Sequence, residues 1–517
     1  MSLKFDMLDG EYWWGGSVGA GELQPFNKDS DYNSDQRVWT LNQTMPMYVS
    51  SKGRYIWCDK PFKSIFKDGT VEIICDEADP ILVEAGTCLK DAYTAVMKEH
   101  FPFDGKELPE NFFRTPQYNS WMEFTYHPTQ KGILEYAHAI IDHGYKPGIL
   151  MIDEGWHGRY GKWEFDPLTF PDPKAMVKEL HDMGFTVMLW VCPWVCPDGQ
   201  DFIMQISPIF NKKNAKDIFI RNKQGKVGLF EWWNGYSAML DMTNPSDFEF
   251  LDSQLQALVN DIGIDGFKFD GGNAFRYHPN FMQNGEPREE GYNPHEKNMA
   301  WFKFGTRFKY HEYKDSFMSG GKNCIQRLSD RRHSWTEYGI ITILPSAIVQ
   351  GLTGHPFICP DMIGGGDWSC VYGDIDEELF VRMAQVSTFM PMMQYSWAPW
   401  NALSEANQKI VLEQAKLHEK VADEIIALVK DSETSGQPIL RNLEYNDPGH
   451  GYEKIVDEFM LGEDILVAPV VTEKTYKRTV TFPAGQWKDE DGNIYDGNRD
   501  YEIDAPIEKL PWFRRVK

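Results

Sequence analysis

The sequence lacks any run of eighteen consecutive apolar residues, the length that a membrane-spanning helix needs, so we expect no membrane partner. Positive charge is also scarce: 52 Lys and Arg stand against 77 Asp and Glu, a formal net charge of −25 at pH 7. So acidic a chain is a poor partner for nucleic acid or for an anionic lipid surface. Internal repeats and low-complexity segments are absent as well, which indicates an ordinary globular protein.

Cysteine is scarce too, with eight residues scattered over 517 positions. Cys192 and Cys196 are four apart, but neither a second pair nor a His cluster at metal-ligand spacing lies near them. We therefore expect reduced, buried cysteines and no metal. Residues 1–6 contain no apolar signal core, and Met-Ser-Leu is typical of an expression remnant, so the sequence leaves the native compartment open. It also leaves the oligomeric state open.

Aromatic residues, in contrast, make up 14% of the chain and include 18 Trp. Trp-rich clefts often bind sugars, because a flat ring covers the apolar C–H face of a pyranose. A large aromatic core would give the same composition. Composition alone therefore leaves both interpretations open.

The order of predicted strands and helices divides the chain into three domains, a number that is expected for 517 residues. Residues 1–95 show short alternating runs between Lys-Asp-Gly turns, which predict an N-terminal β-sandwich. Residues 96–430 alternate strands with helices, which predicts an α/β fold, a (β/α)8 TIM barrel. A Ser-Glu-Thr-Ser-Gly segment at 432–436 predicts a linker, and residues 431–517 return to short strands and turns, a C-terminal β domain.

The most informative stretch is residues 263–273, which predict a short buried strand opening into a glycine-rich loop. Lys268 and Asp270 are two positions apart, so they share one face of that strand. A helix precedes it, with Ser246 or Asp247 available as its N-cap. Chemistry in a (β/α)8 barrel takes place at the C-terminal ends of the strands, so Asp270 is predicted to be a catalytic carboxylate.

Several predicted strands, including this one, end in an acid or a Trp. The residues at these strand ends are Asp153, Trp190, Asp270, Asp330 and Asp361. Any one of them could be a helix N-cap or a turn residue, but five together predict an acidic, Trp-lined pocket. Trp194 and, in an insertion at about 198–235, Trp233 are further candidates for binding a substrate.

Two carboxylates that face each other across a pocket can hydrolyse a glycosidic bond. One attacks the anomeric carbon, and the other protonates the leaving oxygen. Asp270 suits the nucleophile, because Lys268 on the same strand face favours its ionised form. Asp330 suits the acid/base, and Asp153 and Asp361 suit the binding of sugar hydroxyls. The neighbours of Asp330 count against its role unless they point away; these are Arg327, Arg331 and Arg332.

Two other functions stay open at this point. Lys268 at a strand end could form a Schiff base, as in an aldolase. Against this, a Phe and an Asp that would hold the lysine charged follow it, and no phosphate-binding Gly loop stands out. A catalytically inactive carbohydrate-binding protein is the third possibility, which the pair of strand-end acids disfavours.

Motifs along nearly the whole chain resemble glycoside hydrolase family 31. The segment 263–272 is similar to the family's nucleophile strand, and 241–245 to the segment before the preceding helix. Residues 351–365 resemble its Gly-x-Pro…Asp-x-Gly-Gly motif, and 462–471 and 482–487 its β-domain signatures. The resemblance implies an exo-acting, retaining α-glycosidase that acts on an oligosaccharide or α-glycoside without a cofactor, with Asp270 as the nucleophile.

Departures from the family pattern bear on the substrate. Asn273 stands where the family often has Glu, and the segment 326–330 replaces the usual turn before the acid/base. The resemblance places the acid/base at Asp330 by its spacing to Asp361, with Arg327 as a subsite residue. Asp153 and Trp190 match the family's sugar-binding positions. Segments 327–335 and 360–365 resemble α-galactosidase-like members, so the expected sugar is a terminal α-linked glucose or galactose.

Overall fold

The computed structural model describes residues 1–198 and 218–516. Its first 84 residues form two antiparallel sheets, of which one has the strand order β1-β7-β6-β3 and the other contains β2, β4, β5 and β8. The strands are β1 (Ser2–Asp6), β2 (Trp13–Ser17), β3 (Tyr32–Asp35), β4 (Gln43–Ser50), β5 (Arg54–Trp57), β6 (Lys63–Lys67), β7 (Thr70–Ile74) and β8 (Ile81–Glu84). Aromatic side chains such as Trp13, Phe26 and Phe66 fill the space between the sheets.

The next fifteen strands build the centre of the molecule. They are β9 (Gln117–Asn119), β10 (Ile149–Ile152), β11 (His157–Arg159), β12 (Lys162–Phe165), β13 (Thr186–Val191), β14 (Trp194–Val195), β15 (Phe230–Trp232), β16 (Gly235–Met239), β17 (Gly266–Phe269), β18 (Tyr310–Tyr313), β19 (Ser316–Phe317), β20 (Ile325–Arg327), β21 (Ile358–Cys359), β22 (Met362–Ile363) and β23 (Gln394–Tyr395). Nine of them form one curled parallel sheet, β21-β20-β18-β17-β13-β10-β9-β23-β22.

The two edges of this sheet, β21 and β22, are consecutive in the chain and separated only by Pro360 and Asp361. β21 pairs with β20 and β22 pairs with β23, so together they act as a single seventh strand that is broken in the middle. Asp361 lies at the break with φ of 82°, a left-handed backbone conformation. Counting β21 and β22 as one, the sheet therefore closes on itself with eight strands, and the predicted (β/α)8 barrel is confirmed.

Helices alternate with the strands along the barrel, and the helices Leu89–His100 and Leu443–Asn446 lie beside the flanking β sheets. The α-helices are Leu89–His100, Asn111–Arg114, Trp121–Phe124, Gln130–Asp142, Pro173–Asp182, Pro245–Ala257, Ala274–Tyr277, Pro294–Gly305, Ile343–Leu352, Glu377–Ser387, Pro399–Ala402, Glu405–Ser435 and Leu443–Asn446. Several begin at a side-chain cap: Thr129 accepts from the N–H of Gly132, and Asp172 accepts from the N–H of Ala175. No helix among the described residues is long and apolar enough to cross a membrane.

The predicted N-cap of the helix before β17 is wrong. Asn244 caps this helix by accepting from the N–H of Ser246. Asp247 lies inside the first turn, fully buried, and accepts from the backbone N–H groups of Phe219 and Asp241. Pro245 at the first helical position explains the shift, because its fixed φ and missing N–H suit that position.

The predicted linker at 432–436 is also wrong. The helix Glu405–Ser435 continues through this segment and ends at Gly436, whose φ of 72° is the usual glycine stop. A second β region follows, with strands β24 (Leu440–Arg441), β25 (Phe459–Leu461), β26 (Ile465–Val467), β27 (Lys477–Phe482), β28 (Gln486–Lys488), β29 (Ile494–Asp496), β30 (Arg499–Asp504) and β31 (Trp512–Arg515). The domain boundaries near 95 and 430 stay predictions.

One strand joins the N-terminal sheets to the barrel. β19 leaves the end of β18 and pairs in parallel with β4, with Ser316 opposite Gln43 and Phe317 opposite Thr44. The start of β4 therefore lies against the C-terminal rim of the barrel.

Candidate active site

A pocket of about 480 Å³ opens at the C-terminal ends of the barrel strands. Its lining side chains combine carboxylates, ammonium groups and aromatic rings; they are Trp121, Tyr126, Asp153, Glu154, Trp190, Trp233, Lys268, Asp270, Lys314, Asp330, Met362, Gly366, Asp367 and Trp368. The volume lies in the range of small-molecule sites. The structure thus brings together six of the residues singled out in the sequence: Asp153, Trp190, Trp233, Lys268, Asp270 and Asp330.

Three other predicted site residues lie outside the pocket wall. Trp194 is fully buried, donates from its indole N–H to the carbonyl of Gly271 at 2.9 Å, and stacks on Trp232. Arg327 and Asp361 are buried beneath the pocket floor, where Nη2 of Arg327 donates to Oδ1 of Asp361 at 2.5 Å. Trp194 therefore supports the loop after β17, and the Arg327–Asp361 pair supports the floor.

Asp270 follows β17 and has a donor on each carboxylate oxygen. The indole N–H of Trp190 donates to Oδ2 at 3.1 Å, and the backbone N–H of Gly271 donates to Oδ1 at 2.8 Å. Burial by itself would raise the pKa of Asp270, but the ammonium groups of Lys314 and Lys268 outweigh it and hold the pKa below its usual value. Asp270 is therefore an oriented, ionised carboxylate.

Asp330 lies three residues after β20 and is held between two cations. Nζ of Lys314 donates to Oδ2 at 2.5 Å, and Nη2 of Arg327 donates to Oδ1 at 2.5 Å. Its side chain is 32% exposed, so it faces the mouth of the pocket. Burial would raise the pKa of Asp330, but Lys314 and Arg327 outweigh burial and lower it, so the carboxyl is ionised in this arrangement.

The three arginines near Asp330 behave differently. Arg331 turns away and donates to Oγ1 of Thr342 at 2.9 Å, and the guanidinium of Arg332 lies over the ring of Tyr338. Arg327 does not point away, and it is the arginine that binds Asp330. Of the three neighbours that count against an acid role, Arg327 is therefore the one in direct contact with Asp330.

The floor of the pocket contains a second buried ion pair. Nζ of Lys268 donates to Oδ2 of Asp153 at 2.6 Å, and both side chains are only 4% exposed. Asp153 also accepts from the N–H of Glu154 at 2.9 Å, and its own N–H donates to Ser120. Charges that are paired in this way remain fixed when a substrate enters, which is the preorganisation that binding and catalysis require.

Sequence reasoning missed three charged residues of the pocket: Lys314, Glu154 and Asp367. Lys314 follows β18, whose residues Tyr-His-Glu-Tyr contain no apolar run, so the strand itself was not predicted. Glu154 follows Asp153 directly, and Asp153 alone was taken as the acid at the end of this strand. Its carboxylate accepts from the hydroxyl of Tyr160 and, at 2.8 Å, from the amide of Asn234. Burial and then the charges of Asp153 and Asp270 raise the pKa of Glu154 to about 8, despite the hydrogen bond from Tyr160.

Glu154→Gln is expected to stabilise the fold more at pH 8 than at pH 5. The pKa of about 8 in the folded state lies above the unfolded value of 4.5. The bound proton therefore adds fully to the wild type's free energy of unfolding below pH 4.5, and this stabilisation is lost as pH rises through 8. Glutamine stays neutral, so the variant's advantage should grow by about 2–4 kcal/mol between pH 5 and 8 and then level off. Thermal or urea melts measure it.

The matched control is Glu135→Gln, on the helix Gln130–Asp142, whose carboxylate side chain is 66% exposed. This variant should show no comparable growth with pH. A Glu154→Gln difference that stays constant from pH 5 to 8 would contradict the assignment of a protonated Glu154.

Within residues 1–198 and 218–516, no group of three or more His, Cys, Asp or Glu side chains is arranged to hold a metal ion. The described pocket offers carboxylates, ammonium groups and aromatic rings. An oriented carboxylate, Asp270, and a second carboxylate, Asp330, share one pocket, and Lys314 lowers the pKa of both. This arrangement suits displacement at a sugar carbon.

Comparison with known proteins gives the same fold. Myogenesis-regulating glycosidase of Mus musculus is 29% identical over an alignment of 543 residues, gaps included. The alignment covers 96% of this chain and 73% of that protein. Alpha-glucosidase 2 of Bacillus thermoamyloliquefaciens is 26% identical over 412 residues, 74% of this chain and 50% of that protein. The solved structure of a Flavobacterium johnsoniae dextranase complexed with glucose superimposes with a TM-score of 0.82 at 19% identity, covering 99% of this chain and 66% of that one.

The chain thus spans half to three quarters of the length of these relatives. Family models locate the likeness along the sequence. The model of the glycosyl hydrolases family 31 TIM-barrel domain matches residues 115–418, and that of the family's C-terminal domain matches residues 436–516. The first match alone covers more than half of the sequence, and the chain belongs to glycosyl hydrolase family 31.

Proposed function

We propose that this protein is a retaining exo-α-glycosidase that removes a terminal, non-reducing α-linked glucose or galactose. The observation that carries the proposal is that Asp270 and Asp330, at the ends of two different strands, line one pocket. Asp270 acts as the nucleophile and forms a glycosyl-enzyme. Asp330 protonates the leaving oxygen in the first step and takes a proton from water in the second.

The charges around Asp330 suit the second step better than the first. Lys314 and Arg327 favour the carboxylate form, which is the base that the second step needs. The first step needs a proton on Asp330 while Asp270 stays ionised, and the same cations oppose that proton. Protonation of the leaving group is therefore the demanding part of this reaction.

The shape of the pocket supports removal of a terminal sugar. Buried ion pairs, Lys268–Asp153 and Arg327–Asp361, close its inner end. At its mouth the rings of Trp121, Tyr126 and Trp368 contact one another at centroid distances of 5.2–5.8 Å. Polar groups at the closed end suit the hydroxyls of the terminal sugar, and the rings suit the apolar face of the group attached to it.

The Schiff-base alternative finds no support at Lys268. Its ammonium group is buried and donates to Asp153 at 2.6 Å, so the amine is not free to attack a carbonyl carbon. An inactive carbohydrate-binding homologue would not need an ionised, doubly hydrogen-bonded carboxylate in the pocket.

A panel of 4-nitrophenyl α- and β-glycosides of glucose, galactose, xylose and N-acetylgalactosamine tests the proposal. Release from an α-glycoside names the sugar, and NMR of the first-formed product reports the stereochemistry. We expect the α-anomer first, because two displacements at one carbon retain its configuration. The β-anomer first, or release from β-glycosides alone, would contradict the proposed mechanism.

Lys314→Met is expected to move the pH optimum of kcat/KM upward by about one unit or more, since one pKa unit corresponds to only about 1.4 kcal/mol of lost charge interaction. Lys314 lowers the pKa of both Asp270 and Asp330, so its removal shifts both limbs of the pH profile in the same direction. The control is Lys309→Met, an exposed lysine just before β18. An unchanged or lower optimum would show that Lys314 does not set these charges.

A further inference from the structure

Two amide side chains of the N-terminal sheets contact the catalytic rim of the barrel. Asn42, the residue before β4, and Gln43, the first residue of β4, are 3% and 0% exposed. They belong to neither the barrel nor the pocket lining. Pairing of β4 with β19 brings them to the ends of β18 and β20, more than 270 positions later in the chain.

Their hydrogen bonds go to Lys314, at the end of β18, and to Arg327 and Ser329, which precede Asp330 in the chain. Nδ2 of Asn42 donates to the carbonyl of Lys314 at 2.8 Å. Nε2 of Gln43 donates to the carbonyls of Lys314 and Arg327, each at 3.0 Å. Oδ1 of Asn42 accepts from the N–H of Ser329 at 2.8 Å and from its hydroxyl at 2.5 Å. We call the two side chains, Asn42 and Gln43, the amide clamp.

The amide clamp is hydrogen-bonded to the residues that contact or precede Asp330. Lys314 and Arg327 are the two cations that donate to its carboxylate, and Ser329 is the residue before it. The three backbone groups lie on two separate strand ends, so their spacing is not fixed by any one strand. The clamp bridges that spacing directly.

Two features show that the clamp is built at a cost to the N-terminal sheets. Asn42 has φ of 57°, in the left-handed region that Asn tolerates better than most residues. Oε1 of Gln43 is buried without a hydrogen-bond partner among the described residues. A buried unpaired oxygen costs stability, so these side chains are not explained by the stability of β4 alone.

We propose that Asn42 and Gln43 are positioning residues for the glycosidase reaction, by which the N-terminal domain sets the placement of Lys314 against Asp330. This inference rests on the proposed role of Asp330 as the acid/base. It gives the N-terminal domain a part in the chemistry that does not require contact with the substrate. A displacement of about 1 Å at such a site can cost roughly 100-fold in rate.

Three variants separate the bonds of the clamp. Asn42→Gly keeps the left-handed backbone and removes every side-chain bond. Asn42→Asp keeps the acceptor for Ser329 but turns an oxygen toward the carbonyl of Lys314. Gln43→Met keeps the length of the side chain and removes its donors. The matched control is Gln24→Met, a buried residue of the same domain whose side-chain amide bonds to the backbone of Gly15 at 2.8 and 2.9 Å.

We expect Asn42→Gly to lower kcat roughly 10- to 100-fold on an α-linked disaccharide at the variant's own pH optimum, with KM little changed. The loss on the matching 4-nitrophenyl α-glycoside should be about threefold or less, because that leaving group needs little protonation. The pH optimum should move upward, as in Lys314→Met. Gln24→Met should lose stability without changing the ratio of the two substrates. An equal loss on both substrates in Asn42→Gly would overturn the proposal.

A second measurement does not depend on turnover. In protein labelled with ¹⁵N-lysine, the Nζ signal of Lys314 is assigned by its loss in Lys314→Met. We expect this signal to shift and to exchange faster with water in Asn42→Gly, but not in Gln24→Met. An unchanged signal would overturn the clamp's role. If the wild type hydrolyses no glycoside, the proposed function fails, and the signal still decides whether the clamp places Lys314.

Discussion

Asp270→Asn is expected to lower kcat/KM by roughly 10⁴-fold or more, the order of loss seen when a residue at the centre of covalent catalysis is removed. The loss should be similar on a disaccharide and on a 4-nitrophenyl glycoside, because both need the attacking carboxylate. The structure adds a reason: Trp190 and Gly271 each donate to one oxygen of Asp270, and the amide nitrogen of Asn can accept from neither. Steady-state kinetics with both substrates measures the effect.

Asp265→Asn is the matched control for this substitution. Asp265 lies just before β17, at the opposite end of the strand, and Oδ2 accepts from His181 and from the N–H of Val187, both at 2.8 Å. It should lower stability and leave kcat/KM within about threefold, as expected for a change far from the reacting atoms. If Asp270→Asn kept more than about a hundredth of wild-type activity on the aryl glycoside, Asp270 would not be the nucleophile.

The barrel and half of its pocket could be predicted because the information is local. The strands β10 and β13 are apolar almost throughout, and β17 is interrupted by Lys268, as expected for parallel strands that are buried on both faces. The polar residue that follows such a run marks the rim. Asp153 and Asp270 were found by this reasoning, and the structure brings both into the pocket.

The same reasoning failed where a barrel strand is polar. β18 carries His311 and Glu312, both fully buried, so its sequence does not look like a core strand. Missing the strand meant missing Lys314 at its end. Glu312 lies 3.8 Å from Nε of Arg327, and burial raises the pKa of its carboxyl.

Contacts between distant segments were beyond reach for a different reason. The pairing of Lys268 with Asp153 joins residues 115 positions apart, and the bond from Asn42 to Lys314 spans 272 positions. Local patterns specify which element forms, but register and docking depend on packing of the whole chain. The sequence raised the question of which arginine faces Asp330, and only the tertiary structure answers it, in favour of Arg327.

Asp330→Ala is expected to cost about 10²–10⁴-fold in kcat/KM on an α-linked disaccharide, the usual range for loss of a general acid. On a dinitrophenyl α-glycoside the loss should be small, because that leaving group departs without a proton. The second step still needs a base, so the glycosyl-enzyme should accumulate on this substrate, with a burst of product and a low KM. Pre-steady-state kinetics with the two substrates tests the pattern.

Azide makes this last test specific to Asp330. Azide is a nucleophile that carries no proton, so it needs no base to attack the glycosyl-enzyme, and the cavity left by Asp330→Ala, beside the ammonium of Lys314, suits an anion. Azide should therefore speed turnover of the dinitrophenyl glycoside in Asp330→Ala, but not in the wild type, and the product should be the α-glycosyl azide. Equal losses on both substrates, without an azide effect, would assign the acid/base to another group of the pocket. Glu154, whose pKa is raised to about 8, is the carboxyl that holds a proton there and would be tested next.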